Sequence, residues 1–307
     1  MLTKNERLIW FKGNIVPIEE AKINVLSPTS QFGANVFEGL RAYWNEKEQQ
    51  LYVYKLQEHI QRLQKSIKMM RFNSDFTDEF LNQSVIDIIK ANNFKEDIVC
   101  RQTVFLDGFG SWASVDSVEM FIAPIAKGRA YPEDKIGINV CISSWERIGD
   151  KSMSPKIKMG ANYMNSRAGQ MEAVRNGYDS TIFLNDNGKV SEGPGSCLFM
   201  VRDGVLITPP VTASILESIT RNTIIQIAKD DLGLEVIERD IDRTELYIAD
   251  EIFMCGTAVE IVPVLSVDRL DVSDTKKGKI TQELENLYFD IVRGNIEKYK
   301  NTLTKVY

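Results

Sequence analysis

Two short segments of the sequence carry small and hydroxyl side chains that suit the binding of an anion. Residues Ser218 to Asn222 open a predicted helix, and the N–H groups of a helix start bind phosphate well, although simple N-capping by Ser or Thr explains the same pattern. Residues Gly256 to Ala258 follow a predicted strand, where small residues leave backbone N–H groups accessible to an anion or form an ordinary turn. Each segment alone indicates an anion site only weakly.

Lys158 and Glu192 are the two charged residues whose surroundings favour a catalytic role. Lys158 precedes a predicted helix, and a buried lysine amine can form a Schiff base with a carbonyl group, although Lys151 and Lys156 compete for that role. Glu192 is followed by Gly193, which lets the backbone approach a ligand closely. Its carboxylate is able to pair with a cationic ring nitrogen, or else it is the single charge of a surface turn.

The composition excludes several functional classes. The 307 residues include 37 basic and 43 acidic side chains, which argues against nucleic-acid binding because phosphate contacts need a basic face. The four cysteines are far apart and there is one histidine, so a disulfide framework, a metal site and a Ser-His-Asp triad all lack residues. The longest apolar run, Met120 to Ala126, is too short to span a membrane, and no secretory signal follows the first charges. We therefore expect a reduced, cytoplasmic enzyme or binding protein.

Strands and helices are predicted in an irregular order, which favours a mixed α+β fold of the α/β type over a Rossmann fold. Strands are predicted at 8–11, 14–17, 36–43, 51–54, 98–105, 119–124, 138–144 and 251–255, and helices at 56–70, 78–91, 161–175, 220–231 and 279–299. Proline and glycine interrupt every pattern between Pro124 and Gly137. The sequence thus predicts an N-terminal domain over 1–125, an interdomain loop over 126–137 and a second domain over 138–307.

Six motifs occur in the order that one enzyme family shows. They are FEGLRAY (Phe37 to Tyr43), EHIQRL (Glu58 to Leu63), KMGANY (Lys158 to Tyr163), SEGPGS (Ser191 to Ser196), SITRN (Ser218 to Asn222) and GTAVEIVPV (Gly256 to Val264). From Ile9 to Val267 the chain resembles a branched-chain amino acid aminotransferase of the fold-type IV pyridoxal-phosphate (PLP) enzymes, in the D-amino acid aminotransferase-like superfamily. The resemblance implies a small N-terminal α/β domain and a larger PLP-binding domain with a mixed sheet or pseudo-barrel.

The resemblance also implies which residues bind PLP. Lys158 matches the Schiff-base lysine, which also transfers the substrate proton, and Tyr163 matches the tyrosine that hydrogen-bonds the phenolic oxygen. Glu192 matches the partner of the pyridine nitrogen, and Gly195 lies in the same motif. The phosphate is assigned to four residues: Arg62, Ile219, Thr220 and Thr257. The position of Arg62 on a predicted helix would by itself indicate an exposed arginine.

The resemblance assigns the substrate to seven residues: Phe37, Gly39, Arg41, Arg101, Tyr131, Thr257 and Ala258. Thr257 and Ala258 match the loop that receives the α-carboxylate. Arg101 matches an arginine that accepts the distal carboxylate of glutamate, with Arg41 as the second candidate. Tyr131 matches an aromatic residue of the interdomain loop.

Three residues depart from the family pattern. Phe32 and Val99 stand where well-known bacterial members have tyrosine, and Lys127 lies near a position where an aromatic residue is common. The lost hydroxyl groups are expected to alter the range of substrate side chains and the carboxylate network. His59, inside EHIQRL, is interpreted as a packed or surface histidine without a role.

The implied activity is PLP-dependent transamination of L-leucine, L-isoleucine and L-valine with 2-oxoglutarate, with ping-pong kinetics. The implied assembly is a homodimer, or a hexamer built as a trimer of dimers, without nucleic acid or membrane. The alternatives on the same fold are a D-amino acid or (R)-amine transaminase and an aminodeoxychorismate lyase. A non-catalytic PLP-binding sensor is a further alternative, but a sensor does not need a proton-transfer lysine such as Lys158.

Overall fold

The computed structural model describes residues 7–131, 135–274 and 277–307. Residues 132–134 of the expected interdomain loop, and residues 1–6 at the start of the expected first domain, lie outside the described residues. Within the described part of the chain, no helix has both the length and the apolar character that crossing a membrane requires.

The described residues form fifteen strands, six α-helices and four short 3-10 helices. The strands are β1 (Leu8–Phe11), β2 (Asn14–Pro17), β3 (Asn35–Asn45), β4 (Gln50–Tyr54), β5 (Ile98–Leu106), β6 (Val118–Ala126), β7 (Ile138–Glu146), β8 (Ser180–Leu184), β9 (Cys197–Arg202), β10 (Val205–Thr208), β11 (Val236–Glu238), β12 (Glu251–Gly256), β13 (Glu260–Val267), β14 (Leu270–Asp271) and β15 (Leu303–Lys305). The α-helices are α1 (Pro28–Phe32), α2 (Leu56–Met69), α3 (Asp78–Asn92), α4 (Tyr163–Arg175), α5 (Ile219–Asp230) and α6 (Lys279–Val292). The 3-10 helices are Ile18–Glu20, Gly160–Asn162, Arg243–Ile248 and Glu297–Thr302.

The first compact unit comprises Met1–Gly128, Ile157–Ala161 and Asp290–Tyr307. Its seven-stranded sheet has the order β15-β4-β3-β5-β6-β1-β2, and all neighbouring strands are antiparallel. Helix α2 packs against β3, and α3 packs against β1 and β6. Met69 at the end of α2 is exposed, whereas four apolar residues of this helix recur at helical spacing and are buried: Leu56, Ile60, Leu63 and Ile67.

The second compact unit comprises Arg129–Lys156 and Asn162–Phe289. Its sheet has the order β11-β10-β9-β12-β13-β7-β8, and β14 pairs with β13. Strands β7, β8 and β13 run parallel to one another, as do β10 and β11, whereas β9, β12 and their neighbours are antiparallel. The mixed sheet and the irregular order of strands and helices confirm the predicted fold class. Helix α4 packs on β7 and β8, and α5 packs on β11 and β12.

The predicted helices agree with the structure to within one residue except at two ends. Helix α6 ends at Val292, not at 299, because Gly294 adopts φ +78° and its N–H donates to the carbonyl oxygen of Ile291. Only glycine adopts this left-handed conformation without strain, so it ends the helix. The helix predicted from residue 161 begins instead at Tyr163, after the 3-10 turn Gly160–Asn162.

The predicted domain boundaries differ from the two compact units in two places. Residues Ile157–Ala161 and Asp290–Tyr307, expected in the second domain, cluster with the first unit. Pairing of β15 with β4 and burial of Val306 hold the C-terminal segment there. Hydrogen bonds to β3 and α2 hold the segment Ile157–Ala161 in the first unit. The division at 125 and 138 remains a prediction.

Candidate active site

Lys158 lies in a short extended segment that β3 and α2 hold from both sides. The N–H of Phe37 donates to the carbonyl oxygen of Lys158 at 2.9 Å, and the N–H of Lys158 donates to Oγ of Ser66 on α2 at 3.2 Å. The next residue of the motif, Gly160, passes so close to β3 that a Cβ there would lie 2.6 Å from Oδ1 of Asn35. The backbone of Lys158 is therefore fixed by packing and hydrogen bonds within the first unit.

The side chain of Lys158 is half-buried, and its Nζ lies 5.1 Å from the centroid of the Phe37 ring. The two competing lysines are placed differently. Lys151 is exposed, and Nζ of Lys156 donates to the carbonyl oxygen of Val211 at 3.1 Å. Of the three lysines, Lys158 has the surroundings that suit a reactive amine.

Arg62 on α2 is bound by a carboxylate that comes from β3. Its Nε donates to Oε1 of Glu38 at 2.7 Å and its Nη2 donates to Oε2 at 2.8 Å. The arginine side chain is only 12% exposed, so the exposed arginine indicated by helix position is wrong. Oε2 of Glu38 also lies 2.7 Å from Nδ1 of His59, one turn earlier on α2.

The ionisation of this cluster follows from its burial. Burial raises the pKa of the Glu38 carboxyl, but attraction to Arg62 and hydrogen bonds from Arg62 and His59 outweigh it, so that pKa lies well below its usual value. Burial lowers the pKa of His59, and this effect outweighs the attraction of Glu38. Glu38 is therefore ionised and His59 neutral at pH 7. Because a carboxylate only accepts hydrogen bonds, Nδ1 of His59 carries the proton and donates it.

The other face of β3 presents the predicted substrate residues. Phe37, Gly39 and Arg41 alternate with inward-facing residues, and Arg101 lies directly opposite Gly39 on β5. The Arg101 guanidinium is exposed and lies 4.0 Å from the centroid of the Phe37 ring. Arg41 is buried, and its Nη2 donates to the carbonyl oxygen of Gly128 at 2.8 Å. A Cβ added at Gly39 would meet no described atom within 4 Å, so this part of the strand faces open space.

In the second unit, Glu192 is buried and paired with an arginine that the sequence did not indicate. Nη2 of Arg147 lies 2.7 Å from Oε1 of Glu192, and Nε of Arg147 donates to the same oxygen at 3.0 Å. The N–H of Leu216 donates to both carboxylate oxygens at 3.3 Å. Arg147 is itself fixed by Ser166, whose Oγ accepts from Nη1 at 3.1 Å. Glu192 is therefore held rigidly, and the surface-turn alternative is wrong.

The remaining predicted cofactor residues of the second unit lie on turns and helix starts. A Cβ added at Gly195 would lie 4.0 Å from Cε1 of Tyr163, so the SEGPGS turn passes beside that ring. Thr220 is buried in the first turn of α5, next to Ile219. Thr257 is half-buried and Ala258 is exposed in the turn between β12 and β13.

The start of α5 has the N-cap that the sequence suggested. Oγ of Ser218 accepts from the N–H of Arg221 at 3.2 Å. The amides of the first two helical residues have no intrahelical acceptor in any α-helix, so capping at Ser218 leaves this end suited to an anion. Capping and anion binding are thus compatible at this position.

Replacing Ser218 with alanine is expected to lower the free energy of unfolding by about 1 kcal/mol, because the cap hydrogen bond is lost. Urea unfolding of the two proteins measures the difference. Asn222→Ala, at an exposed position of the same helix, is the control and should be neutral or slightly stabilising. Equal midpoints for Ser218→Ala and the parent protein would contradict the capping role.

Tyr131 and the three departures from the family pattern are also placed. Tyr131 is half-buried, with Nζ of Lys135 5.3 Å from its ring centroid, and burial raises its pKa. The Phe32 ring is exposed and packs edge-on against Trp112 at 6.1 Å. Val99 is half-buried opposite Arg41, and Lys127 is exposed. The substrate contacts that the sequence predicts for these residues remain predictions.

The predicted site residues fall into two groups. Six lie in the first unit: Phe37, Gly39, Arg41, Arg62, Arg101 and Lys158. Eight lie in the second unit: Tyr131, Tyr163, Glu192, Gly195, Ile219, Thr220, Thr257 and Ala258. Sequence reasoning gave no role to Glu38, His59 or Arg147. For Glu38 a signal exists, because a glutamate between Val36 and Leu40 occupies an inward position of an apolar strand.

Three kinds of comparison with known proteins agree with one another. The family model for class IV amino-transferases matches residues 35–267. A probable branched-chain-amino-acid aminotransferase of Aquifex aeolicus is 38% identical over 299 residues, covering 97% of this chain and 96% of the relative. The PLP form of the branched-chain amino acid aminotransferase from Thermobaculum terrenum superposes with a TM-score of 0.93 at 41% identity, covering 99% of this chain and 100% of that one.

A second solved structure extends the likeness to a complex with an amino acid. The branched-chain aminotransferase from Thermoproteus uzoniensis with norvaline matches with a TM-score of 0.92 at 41% identity, over 98% of this chain and 99% of that one. The family match covers most of the chain, and the relatives match it over nearly their full length. The chain therefore belongs to the class IV aminotransferases of fold type IV and, within them, to the branched-chain-amino-acid aminotransferases.

Proposed function

We propose that the protein catalyses PLP-dependent transamination of L-leucine, L-isoleucine and L-valine with 2-oxoglutarate. One observation carries the assignment of residues. The same two elements, β3 and α2, fix both the backbone of Lys158 and the guanidinium of Arg62. A cofactor that carries an aldehyde and a phosphate needs an amine and a cation held in a constant relation. Family membership and the similarity to enzymes solved with PLP and with norvaline support the same reading.

The donor set of the chain fits PLP. Lys158 supplies the amine, Glu192 a buried carboxylate for the ring nitrogen, and Tyr163 a hydroxyl for the phenolic oxygen. Arg62, together with the helix start at Thr220, supplies charge and N–H groups for the phosphate. When bound, PLP supplies the electron sink that stabilises negative charge at the substrate Cα.

The residues of the chain then act on the proton and on the charge. Nζ of Lys158 would take the proton from the substrate Cα and deliver it to the carbon atom that PLP contributes as its aldehyde. Glu192 holds a proton on the ring nitrogen. Thr257 and Ala258 receive the α-carboxylate in the turn after β12. Arg62 keeps the cofactor in place while Lys158 moves.

A panel of amino acids tests the proposal. Purified protein with PLP should convert L-leucine, L-isoleucine and L-valine in single turnovers that bleach the cofactor absorbance, and 2-oxoglutarate should restore it. Turnover of D-alanine or an (R)-amine, with L-leucine inert, would instead support the D-amino acid or (R)-amine alternative. Release of pyruvate from aminodeoxychorismate would support the lyase. Bound PLP without any half-reaction would support a sensor.

Arg101 is the residue proposed to accept the distal carboxylate of glutamate. Its guanidinium is exposed against the Phe37 ring, next to the open space at Gly39, whereas Arg41 is buried and donates to a carbonyl group. Arg101→Met is therefore expected to lower kcat/KM for glutamate and 2-oxoglutarate by roughly 10- to 150-fold, the value of a hydrogen bond to a charged group. L-Leucine and L-isoleucine should be affected little, because they carry no second charge.

Single-turnover rates with each amino acid separate the possible roles of Arg101. Equal losses for leucine and glutamate would show that Arg101 is structural. Unchanged rates for both would move the role to Arg41 or to the segment that includes Lys127 and Arg129. Arg101→Lys serves as the charge-preserving control and should retain part of the preference for glutamate.

The state of assembly and the location belong to the same proposal. We propose a homodimer, or a hexamer of three dimers, that works in the cytoplasm. The four cysteines are buried and form no disulfide within the described residues, which suits a reducing compartment. Sedimentation equilibrium of the purified protein tests the assembly, and a monomer at micromolar concentration would contradict it.

A further inference from the structure

A buried cluster in the first unit contains two ionisable side chains that the proposed chemistry does not use. Glu38 on β3 and His59 on α2 are 0% and 1% exposed, beside the phosphate ligand Arg62. Burying a carboxylate in an apolar core costs free energy unless it is paired and fully hydrogen-bonded. An apolar pair would fill the same space without that cost, so the cluster requires a functional explanation.

The geometry of the cluster restricts the movement of Arg62. Glu38 contacts the guanidinium along one edge, through Nε at 2.7 Å and Nη2 at 2.8 Å, which fixes both the plane and the rotation of the group. His59 donates from Nδ1 to the same carboxylate at 2.7 Å and so fixes Glu38 in turn. The helix places His59 and Arg62 three residues apart on one face, where both reach a single carboxylate.

We propose that Glu38 and His59 are positioning residues that hold the Arg62 guanidinium in the orientation in which it binds the cofactor phosphate. This proposal rests on the proposed function, because it takes Arg62 as the phosphate ligand. A long arginine side chain loses rotamer freedom when it binds an anion. A guanidinium fixed in advance loses less, so the cofactor is bound more tightly.

The charge of Glu38 makes the proposal easy to distinguish from simple electrostatics. A carboxylate behind Arg62 repels a phosphate, so an electrostatic role alone predicts that Glu38→Gln binds PLP more tightly. Positioning predicts weaker binding, because the amide nitrogen of glutamine cannot accept a hydrogen bond from Arg62 or His59. Glu38→Asp keeps the charge but withdraws the carboxylate by roughly 1.5 Å, the length of one C–C bond. It therefore reports on geometry alone.

The test compares the affinity of the apoenzyme for PLP with that for pyridoxal, which lacks the phosphate. Both dissociation constants are measured by absorbance titration. In Glu38→Asp, Glu38→Gln and His59→Leu the affinity for PLP should fall about tenfold or more, with little change for pyridoxal. His59→Asn should retain most of the PLP affinity, because the asparagine N–H takes a position close to that of Nδ1.

Two further variants make each outcome decisive. Ile60→Val shortens a neighbouring buried side chain without touching the cluster, and it should leave the ratio of the two dissociation constants unchanged. Arg62→Met tests the proposed function itself, and an unchanged ratio there would refute Arg62 as phosphate ligand. A PLP affinity that falls relative to that for pyridoxal in Arg62→Met, together with an unaltered or improved PLP affinity in the Glu38 variants, would overturn the positioning role alone. Equal losses for PLP and pyridoxal would show that Glu38 and His59 are only structural.

Discussion

Lys158→Ala is expected to reduce kcat for transamination by a factor on the order of 10⁴ or more, the largest effect of any single substitution. General acid–base catalysis by one positioned side chain contributes about 10²- to 10⁴-fold, and this lysine is also proposed to form the covalent link to the cofactor. Its backbone is fixed to β3 and α2, so the position of its amine is defined by packing within the first unit. Steady-state rates with leucine and 2-oxoglutarate measure the loss.

Chemical labelling makes the assignment of Lys158 independent of activity. Borohydride reduction of the holoenzyme, followed by peptide mapping, should place the cofactor on Lys158. Label on Lys151 or Lys156 would refute the assignment. Lys156→Ala is the matched control, since the Lys156 ammonium group bonds to Val211 and Glu217, and its activity should stay at the level of the parent protein.

Glu192→Gln is expected to lower kcat about 10²- to 10³-fold while the affinity for PLP changes far less. The carboxylate is proposed to hold a proton on the ring nitrogen, and this proton matters most when negative charge develops in the transition state. Glu192 is 3% exposed and bonded to Arg147 and the amide of Leu216, so its orientation is set before the cofactor binds. Pre-steady-state rates and PLP titration separate kcat from binding.

The control for Glu192 must address the arginine that the substitution leaves behind. Loss of the charge of Glu192 leaves Arg147 buried without its ion pair, which destabilises the folded protein. Thermal unfolding of the holoenzyme measures that effect. Glu245→Gln removes a different ion pair, the one with Arg239 at 2.6 Å, and should leave kcat unchanged. An unaltered kcat in Glu192→Gln would mean that the carboxylate serves only to hold Arg147.

Local patterns in the sequence predict five of the six α-helices and eight of the fifteen strands that the structure describes. The buried stripe of α2 from Leu56 to Ile67 has the expected helical spacing, and the start of α5 has the expected cap at Ser218. These features depend on neighbours within a few residues. The prediction extends α6 too far, because the helical pattern of polar and apolar residues continues up to Tyr299. The left-handed conformation of Gly294 ends the helix before that point.

Contacts between distant parts of the chain could not be predicted in this way. The burial of Arg62 depends on Glu38, 24 residues away, and that of Glu192 on Arg147, 45 residues away. An arginine on a helix and a glutamate in a turn look exposed until the partner is known. The motifs of the resemblance identified both residues for binding, but they did not indicate the side chains that hold them.

The C-terminal strand has a consequence for how the protein is made on the ribosome. β15 forms the edge of the first sheet, and the N–H of Val306 donates to Oε1 of Gln50, which precedes it by 256 residues. During synthesis, β4 is therefore an open edge until β15 has emerged. Unpaired edges of this kind attract other strands, and domains commonly fold as they emerge, N-terminal part first.

The N-terminal sheet of the nascent chain should consequently depend on chaperones for longer than its early place in the sequence suggests. The N-terminal sheet cannot complete its packing until two later segments have been synthesised, the one that contains Lys158 and the one that contains β15. A fusion partner attached after residue 307, or a proteolytic cut that removes β15, would disturb the pairing of β4, a strand that is synthesised early. Synthesis of β15 thus determines when the edge of β4 becomes protected from aggregation.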